Sequence, residues 1–122
     1  MKDFRNLLTE RNNDGFVRHL NRIKVGDYEL SIQASRFAYC TPEKTLENLF
    51  DYKAMEVAIF KDNKWVSVES DNFFDGWGYK TCFLQYYDGM VAGYVPVRVI
   101  QSLYDYIEAK NNNMENKKWE FI

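Results

Sequence analysis

The stretch Cys82–Lys110, CFLQYYDGMVAGYVPVRVIQSLYDYIEAK, decides the fold of this protein. Asp88-Gly89 separates two runs of strand-forming residues, Phe83–Tyr87 and Met90–Val95. An Asp-Gly pair suits a two-residue hairpin turn, because both central positions of such a turn need positive φ. The stretch therefore begins with a predicted β-hairpin.

The second half of this stretch predicts a helix. Pro96 suits a first helical turn, because its φ is preset and its missing N–H is not needed there. We expect an amphipathic closing helix over 96–110, followed by a polar tail over 111–122. The apolar residues that define one face of this helix are Val97, Ile100, Leu103, Tyr104 and Ile107.

Alternating apolar and polar residues predict two more hairpins upstream. From Tyr28 to Ala34 every second residue is apolar, which is typical of a strand with one buried face. The turn before this strand falls at Gly26-Asp27. A similar pattern begins at Met55 and turns at Asp62-Asn63.

The remaining segments are less regular. Residues 1–21 carry apolar patches on either side of a break at Asn12–Gly15, and they predict a helical arm in one or two pieces. Thr41-Pro42 opens a predicted short helical turn whose Phe50 points inward. Segment 69–81 holds four aromatic residues, and it either packs onto the sheet or forms a contact surface.

These elements sum to one α+β domain over residues 1–122. We predict an antiparallel β-meander of five or six strands over 22–95, with an N-terminal helix and a C-terminal amphipathic helix. Two helices cannot easily cover both faces of a sheet of this size. We therefore expect a second copy to close one face, in a homodimer or a higher homo-oligomer.

Composition excludes several classes of protein. The chain has 122 residues, of which 46% are hydrophobic and 28% are charged, and its net charge is −2. The lack of a long apolar run or a signal-like N-terminus predicts a cytoplasmic protein without membrane contact. The net charge argues against binding of duplex nucleic acid. We expect Cys40 and Cys82 to be free thiols, with a disulfide as the alternative.

The charge is unevenly distributed. Residues 1–24 contain six basic and three acidic residues. This excess would suit a small phosphorylated ligand or an acidic partner, although an ordinary solvated helix face commonly shows the same pattern. The basic residues are Lys2, Arg5, Arg11, Arg18, Arg22 and Lys24.

The sequence shows no catalytic or metal-binding pattern. His19 is the only histidine, and a Ser–His or Cys–His nucleophile pair would have to use it. One histidine and two distant cysteines make a poor zinc set. The glycine spacing in DGWGYKT, residues 75–81, does not match a phosphate-binding loop. We therefore expect a binding protein, with no enzymatic activity, metal or cofactor.

The residues available for binding combine polar and aromatic side chains. Guanidinium forks pair with phosphates, and aromatic faces stack on bases, so together they would suit a nucleotide. Aromatic residues that alternate over 83–87 are also typical of a core, and Arg98 is also typical of a solvated helix face. The polar candidates are Gln33, Ser35, Arg36, Gln85 and Arg98, interleaved with Tyr39, Phe83, Tyr86, Tyr87 and Tyr94.

Three segments resemble a known family. They are SIQASRFAYCTPE at Ser31–Glu43, YKAMEVAIFKDNKWV at Tyr52–Val66 and GYVPVRVIQSLYDYIE at Gly93–Glu108. Over about residues 22–110 the chain is similar to the anti-Thoeris sponge proteins of the first type. These phage proteins counter TIR-domain immunity by sequestering its cyclic ADP-ribose signal.

The resemblance implies a function and a set of ligand residues. It implies an α+β protein that forms dimers or larger assemblies, and that binds glycocyclic ADP-ribose between protomers without cleaving it. Some members also bind cyclic oligonucleotides at a separate pocket. Matched onto this chain, the resemblance offers Arg36 and Arg98 for phosphates, Phe83 and Tyr94 for base stacking, and Gln33 for a ribose or base edge. From the aromatic candidates above we add Tyr39 to this predicted ligand set.

Two other classes of function remain open. A protein-binding inhibitor of a host defence effector, similar in role to an anti-CRISPR protein, would present an exposed aromatic patch, for which the loop 73–79 is the candidate. A phage structural or assembly protein would form large oligomers without any ligand.

Overall fold

The protein folds into two antiparallel sheets and one long helix. The computed structural model describes residues 2–15 and 17–120, and for residues 114–120 it describes the backbone alone. A 3-10 turn at Phe4–Leu7 precedes the first strand. The strands are β1 (Glu10–Asn13), β2 (Arg18–Leu20), β3 (Ile23–Val25), β4 (Tyr28–Gln33), β5 (Ala54–Lys61), β6 (Lys64–Trp65), β7 (Tyr87–Asp88) and β8 (Val91–Pro96), and the helices are α1 (Lys80–Leu84) and α2 (Val97–Glu120).

The main sheet has six strands, which confirms the predicted α+β class. Its order is β3-β4-β5-β8-β7, with β6 also paired to β5. In a simple meander the strand beside β5 would be β6 along its whole length, but here β8 pairs with most of that edge of β5. Since β6 pairs only with Phe60 and Lys61, the rest of that edge of β5 is open to β8. Strands β1 and β2 form a separate two-stranded sheet, which we call the N-terminal hairpin.

The two faces of the main sheet have different chemistry. Along β4, residues 28, 30 and 32 are buried, whereas Glu29, Ser31 and Gln33 are half-buried. Helix α2 contributes Val99, Ile100, Leu103 and Ile107 to the core that covers the first set. We call that side the core face and the other side the outer face. The period of two along β4 thus sends its polar residues away from the helix.

Two of the predicted hairpins are confirmed. Val25 pairs with Tyr28 across the first turn, and Lys61 pairs with Lys64 across the second. Asp62 and Asn63 have φ of 52° and 60°, as a tight hairpin turn requires. The closing helix begins directly after Pro96, as predicted.

The predicted N-terminal helix is wrong. Beyond the single 3-10 turn, residues 10–20 form the N-terminal hairpin. Its loop is held by side chains, because Asn13 Oδ1 accepts a hydrogen bond from the Gly15 N–H and Asp14 Oδ1 accepts one from the Val17 N–H. Asn and Asp side chains that bond nearby backbone in this way compete with helix formation.

The hairpin predicted around Asp88-Gly89 is shifted. Asp88 pairs with Val91, so the central turn residues are Gly89 and Met90, and Gly89 has φ of 69°. The predicted strand Phe83–Tyr87 is wrong, because Phe83 lies in α1. The Phe83 and Tyr87 rings are 5.1 Å apart, so Phe83 in α1 packs against the first residue of β7.

Two other boundaries differ from the prediction. Helix α2 continues through the predicted tail to Glu120, although the apolar side chains at the end of that tail (residues 119, 121 and 122) lie outside the described residues. Only a 3-10 turn at Leu49–Asp51 follows Thr41-Pro42. Phe50 within it is 43% exposed instead of pointing inward.

The aromatic loop 69–81 packs onto the core. Phe74 is fully buried and Trp77 is nearly so. Trp77 Nε1 donates a hydrogen bond to Ser102 Oγ at 2.9 Å, and the Tyr106 hydroxyl donates one to the Phe73 carbonyl at 2.6 Å. The loop therefore ties itself to α2, and of the two predicted roles the structure supports packing.

Replacement of Phe74 by alanine is expected to destabilise the fold by about 3–5 kcal/mol, because it leaves a cavity in a dense aromatic cluster. Urea unfolding followed by fluorescence measures this loss. The control is Tyr79→Ala in the same loop, where the side chain is 43% exposed, and it should change the free energy of unfolding by about 0.5 kcal/mol or less. Equal losses in the two variants would contradict the packed loop.

Candidate functional site

A polar cleft lies on the outer face of the main sheet, between β4 and the N-terminal hairpin. We call it the hairpin cleft. Its volume is about 480 Å³, within the range of small-molecule sites in proteins. The lining residues that matter below are Arg11, His19, Arg22, Glu29, Ser31 and Gln33, with Phe60 beside them.

Gln33 holds the N-terminal hairpin against the sheet. Its Oε1 accepts a hydrogen bond from the Leu20 N–H at 2.8 Å, and its Nε2 donates to the Leu20 carbonyl at 2.9 Å. Nε2 also donates to Ser31 Oγ at 3.1 Å. Both ends of the amide are therefore used within the protein, so Gln33 positions the cleft wall. The sequence prediction that Gln33 reads a ribose or base edge does not fit this geometry.

Arg18 anchors the other side of the hairpin. Its side chain is 2% exposed, and its guanidinium donates to the carbonyls of Leu46 and Ala34 and to the Tyr52 hydroxyl. Glu10, the nearest carboxylate, is 4.0 Å away and largely exposed. Arg18 thus acts as a buried clamp between the N-terminal hairpin, the end of β4 and the segment that precedes β5.

Arg22 is held in place by two contacts within the protein. Its Cζ lies 3.7 Å from the centroid of the Phe60 ring, and its NH1 donates to Asn63 Oδ1 at 2.9 Å. Trp65 packs against Phe60 with ring centroids 4.6 Å apart. This support fixes the guanidinium before any ligand arrives, so less side-chain entropy is lost on binding.

Arg11 and His19 complete the cationic side. Arg11 sits where the β1–β2 register shifts, and it makes no hydrogen bond or ion pair with the described part of the chain. His19 Nδ1 lies 2.8 Å from Asn12 Oδ1. Because an amide oxygen can only accept, Nδ1 carries the proton and Nε2 is the ring atom left for a ligand.

A second feature of the outer face is a pair of exposed tyrosines. The Tyr39 and Tyr94 rings lie 5.9 Å apart, and the Tyr94 hydroxyl donates to Glu43 at 2.6 Å. That hydrogen bond raises the pKa of Tyr94. Phe37, Tyr39 and Tyr94 are 67%, 53% and 42% exposed. We call this group, with Arg36 and Glu43, the tyrosine patch.

Tyr94 is held in a strained backbone conformation. Its φ is 56°, which is rare for a bulky aromatic residue and costs about 1–3 kcal/mol. The conformation is fixed by the hydrogen bond from the Tyr94 N–H to the Tyr39 carbonyl at 2.8 Å and by the contact with Glu43. Strain of this kind is often found at functional sites.

The hairpin cleft and the tyrosine patch are connected. Gln33 pairs with Glu56 across β4 and β5, so both side chains lie on the outer face. Glu56 Oε1 in turn accepts a hydrogen bond from the Tyr39 N–H at 3.3 Å. The outer face therefore carries one polar and aromatic surface from Arg22 to Tyr94.

The six residues predicted as ligand contacts do not form one site. Arg36, Tyr39 and Tyr94 meet in the tyrosine patch, since Arg36 and Glu43 line a common cavity. Phe83 is fully buried against Trp77 and Tyr87, so its ring has no face for a base. Arg98 is on α2, in the layer that covers the core face, and lines a shallow groove there with Tyr79 and Asp105.

Sequence reasoning missed most of the cleft. The basic excess of residues 1–24 included Arg11 and Arg22, but it could not show which of the six cations converge. The alternation of β4 marked Glu29 and Ser31 as outward-facing, but not that the N-terminal hairpin lies over them. Phe60 falls within the alternating pattern that begins at Met55, and nothing in the sequence links it to Arg22.

Comparison with known proteins gives no assignment. No family model matches this chain, and neither a curated protein nor a solved structure shows significant similarity to it. Among residues 2–15 and 17–113, whose side chains are described, no group of three or more His, Cys, Asp or Glu side chains could hold a metal ion. None of the helices described has the length and apolar character needed to cross a membrane. Cys40 and Cys82 are free thiols, as predicted, and burial raises the pKa of Cys40.

Substitution of Arg18 by lysine is expected to destabilise the fold by about 2–3 kcal/mol. A single ammonium group keeps the charge but cannot reach all three acceptors, and unpaired buried acceptors are costly. The matched variant is Arg98→Lys on the exposed face of α2, for which the expected change is within about 0.5 kcal/mol. Chemical denaturation of both variants makes the comparison, and a similar midpoint for the two would show that the clamp contributes little.

Proposed function

We propose that this protein binds and sequesters a small nucleotide signal in the hairpin cleft, without cleaving it. The observation that carries the proposal is the convergence of two arginines and an aromatic ring in one cleft of ligand size. Guanidinium forks bind phosphates in a bidentate manner, and Arg22 is already fixed on Phe60. A pyrophosphate-containing ligand matches two such forks.

The hydrogen bonds of the cleft favour binding over catalysis. Ser31, His19 and Glu29 are the residue types of a nucleophile, a base and an acid, and all three line the cleft. However, His19 Nδ1 is hydrogen-bonded to Asn12 Oδ1, and Ser31 Oγ accepts a hydrogen bond from Gln33 Nε2. A nucleophile needs a base within hydrogen-bond reach, and no Ser31–His19 bond is formed among the described residues.

The resemblance to anti-Thoeris sponge proteins supplies the first ligand to test, glycocyclic ADP-ribose. On this proposal the protein is a phage anti-defence protein acting in the cytoplasm of the host cell. A second copy would cover the open outer face, where the tyrosine patch supplies exposed aromatic area. A cyclic oligonucleotide is the second ligand class that the resemblance suggests.

The test is calorimetric titration with glycocyclic ADP-ribose isomers, linear ADP-ribose and cyclic tri-adenylate, followed by heat denaturation and recovery of the ligand. Selective binding with release of intact ligand supports sequestration. Recovery of a cleaved ligand would contradict sequestration. Absence of a binding signal for every ligand of the panel would contradict the whole proposal.

Removal of either cleft arginine, by Arg22→Ala or Arg11→Ala, is expected to weaken binding about tenfold to a hundredfold. This is the size of one or two charge-assisted hydrogen bonds. Lys64→Ala is the matched control, because it removes one positive charge from an exposed side chain that does not line the cleft. Equal weakening in all three variants would mean that net charge, and not the cleft, determines affinity.

A protein-binding inhibitor is the second candidate function. The observation in its favour is the exposed tyrosine patch, since exposed aromatic clusters often mark interfaces. The loop 73–79, the candidate surface from the sequence, gives this function less support than the tyrosine patch, because Phe74 and Trp77 are buried.

The two functions predict opposite results from two variants. In cells that carry a Thoeris system, a sponge should lose its protection of infecting phage in Arg22→Ala and keep it in Phe37→Ser. An inhibitor acting through the tyrosine patch should show the reverse, because Phe37 is the most exposed large apolar residue there. Plaque counts on such cells distinguish them, and circular dichroism checks that both variants fold.

A further inference from the structure

Glu29 places a carboxylate inside the cationic cleft. It is half-buried on the outer face of β4, directly opposite Phe60 on β5 and Lys24 on β3. Within the described residues its side chain makes no hydrogen bond and no ion pair, although Arg22 lies over the neighbouring Phe60 ring. The oxygens of Glu29 therefore remain open to a ligand.

A site for phosphate alone would gain nothing from this carboxylate. At an effective dielectric constant near 20, a phosphate about 5 Å from a carboxylate is repelled by enough to lower its affinity on the order of a hundredfold. A ligand that carries phosphates therefore fits best with those groups toward Arg11 and Arg22 and with a hydrogen-bond donor at Glu29. A carboxylate can only accept hydrogen bonds, so this group must carry an O–H or N–H.

Ser31 provides the complementary group. It is the next outward-facing residue along β4, about 6.6–6.8 Å from Glu29 by the rise of a strand. Ser31 Oγ already accepts a hydrogen bond from Gln33 Nε2, so its own proton is available to donate into the cleft. The part of β4 that lines the hairpin cleft thus offers a hydrogen-bond acceptor at Glu29 and a donor at Ser31. Sugar hydroxyls both donate and accept hydrogen bonds, so they fit this pair.

We propose that Glu29 determines ligand specificity by accepting a hydrogen bond from a sugar hydroxyl. The cleft then takes a nucleotide whose phosphates are internal and whose sugar hydroxyls are free, and it rejects ligands that are anionic throughout. This inference rests on the proposed function, because it assigns the two ends of the ligand to the two sides of the same cleft.

The experiment measures the affinities of glycocyclic ADP-ribose and inorganic pyrophosphate for the wild-type protein and for Glu29→Gln. The substitution removes the repulsion and replaces a charged acceptor by a neutral one. Pyrophosphate should therefore bind at least tenfold more tightly, whereas glycocyclic ADP-ribose should bind about tenfold more weakly. The control, Glu69→Gln, makes the same change of charge at an exposed residue outside the cleft, and it should move neither affinity by more than twofold.

The outcomes separate this inference from the proposed function. If both ligands bind more tightly to Glu29→Gln, or if neither affinity changes, Glu29 does not select a hydroxyl and the inference fails while sequestration stands. If the wild-type protein binds only pyrophosphate, the cleft is a plain anion site and the inference fails together with the proposed ligand. If the wild-type protein binds neither, both proposals are overturned.

Discussion

A buried arginine determines how the outer face of this protein is built. Arg18 joins three segments that no common strand ladder connects, because its donors reach backbone carbonyls at Ala34 and Leu46 and the Tyr52 hydroxyl. Tyr52 extends the network by donating to the Lys44 carbonyl and accepting from the Leu46 N–H. Arg18 Nε is buried without a partner among the described residues, so the three acceptors of the terminal nitrogens carry the interaction, and a shift of the hairpin would break these hydrogen bonds.

The two layers of the protein carry separate tasks. The core face, α2 and the aromatic loop are held together by apolar contacts, with hydrogen bonds such as that of Trp77 to Ser102 at their margin. The outer face holds the arginines, the carboxylate and the exposed tyrosines. Substitutions of Arg11, Arg22 or Glu29 therefore leave the apolar core contacts intact, whereas Gln33 both lines the cleft and holds the N-terminal hairpin.

The sequence predicted the parts of the fold that depend on local pattern. The turns at Gly26-Asp27 and Asp62-Asn63 and the start of α2 after Pro96 follow from positive φ and from the preset φ of proline. The N-terminal hairpin could not be predicted in this way, because its stability comes from Arg18 and Gln33, whose partners are up to 34 residues away in the chain. The same limit applies to the candidate site, where Arg22 and Phe60 meet only after the sheet has formed.

The attachment of the N-terminal hairpin has a consequence for evolution. The amide of Gln33 pairs with both backbone groups of Leu20, and so takes the place of a neighbouring strand at that point. The hairpin is therefore fastened by side chains and is not a strand of the main sheet. Substitutions at its exposed positions would change the cleft wall without breaking the contacts of Arg18 and Gln33. One wall of the cleft can thus diversify, as the binding loops of an antibody do, on a scaffold that stays the same.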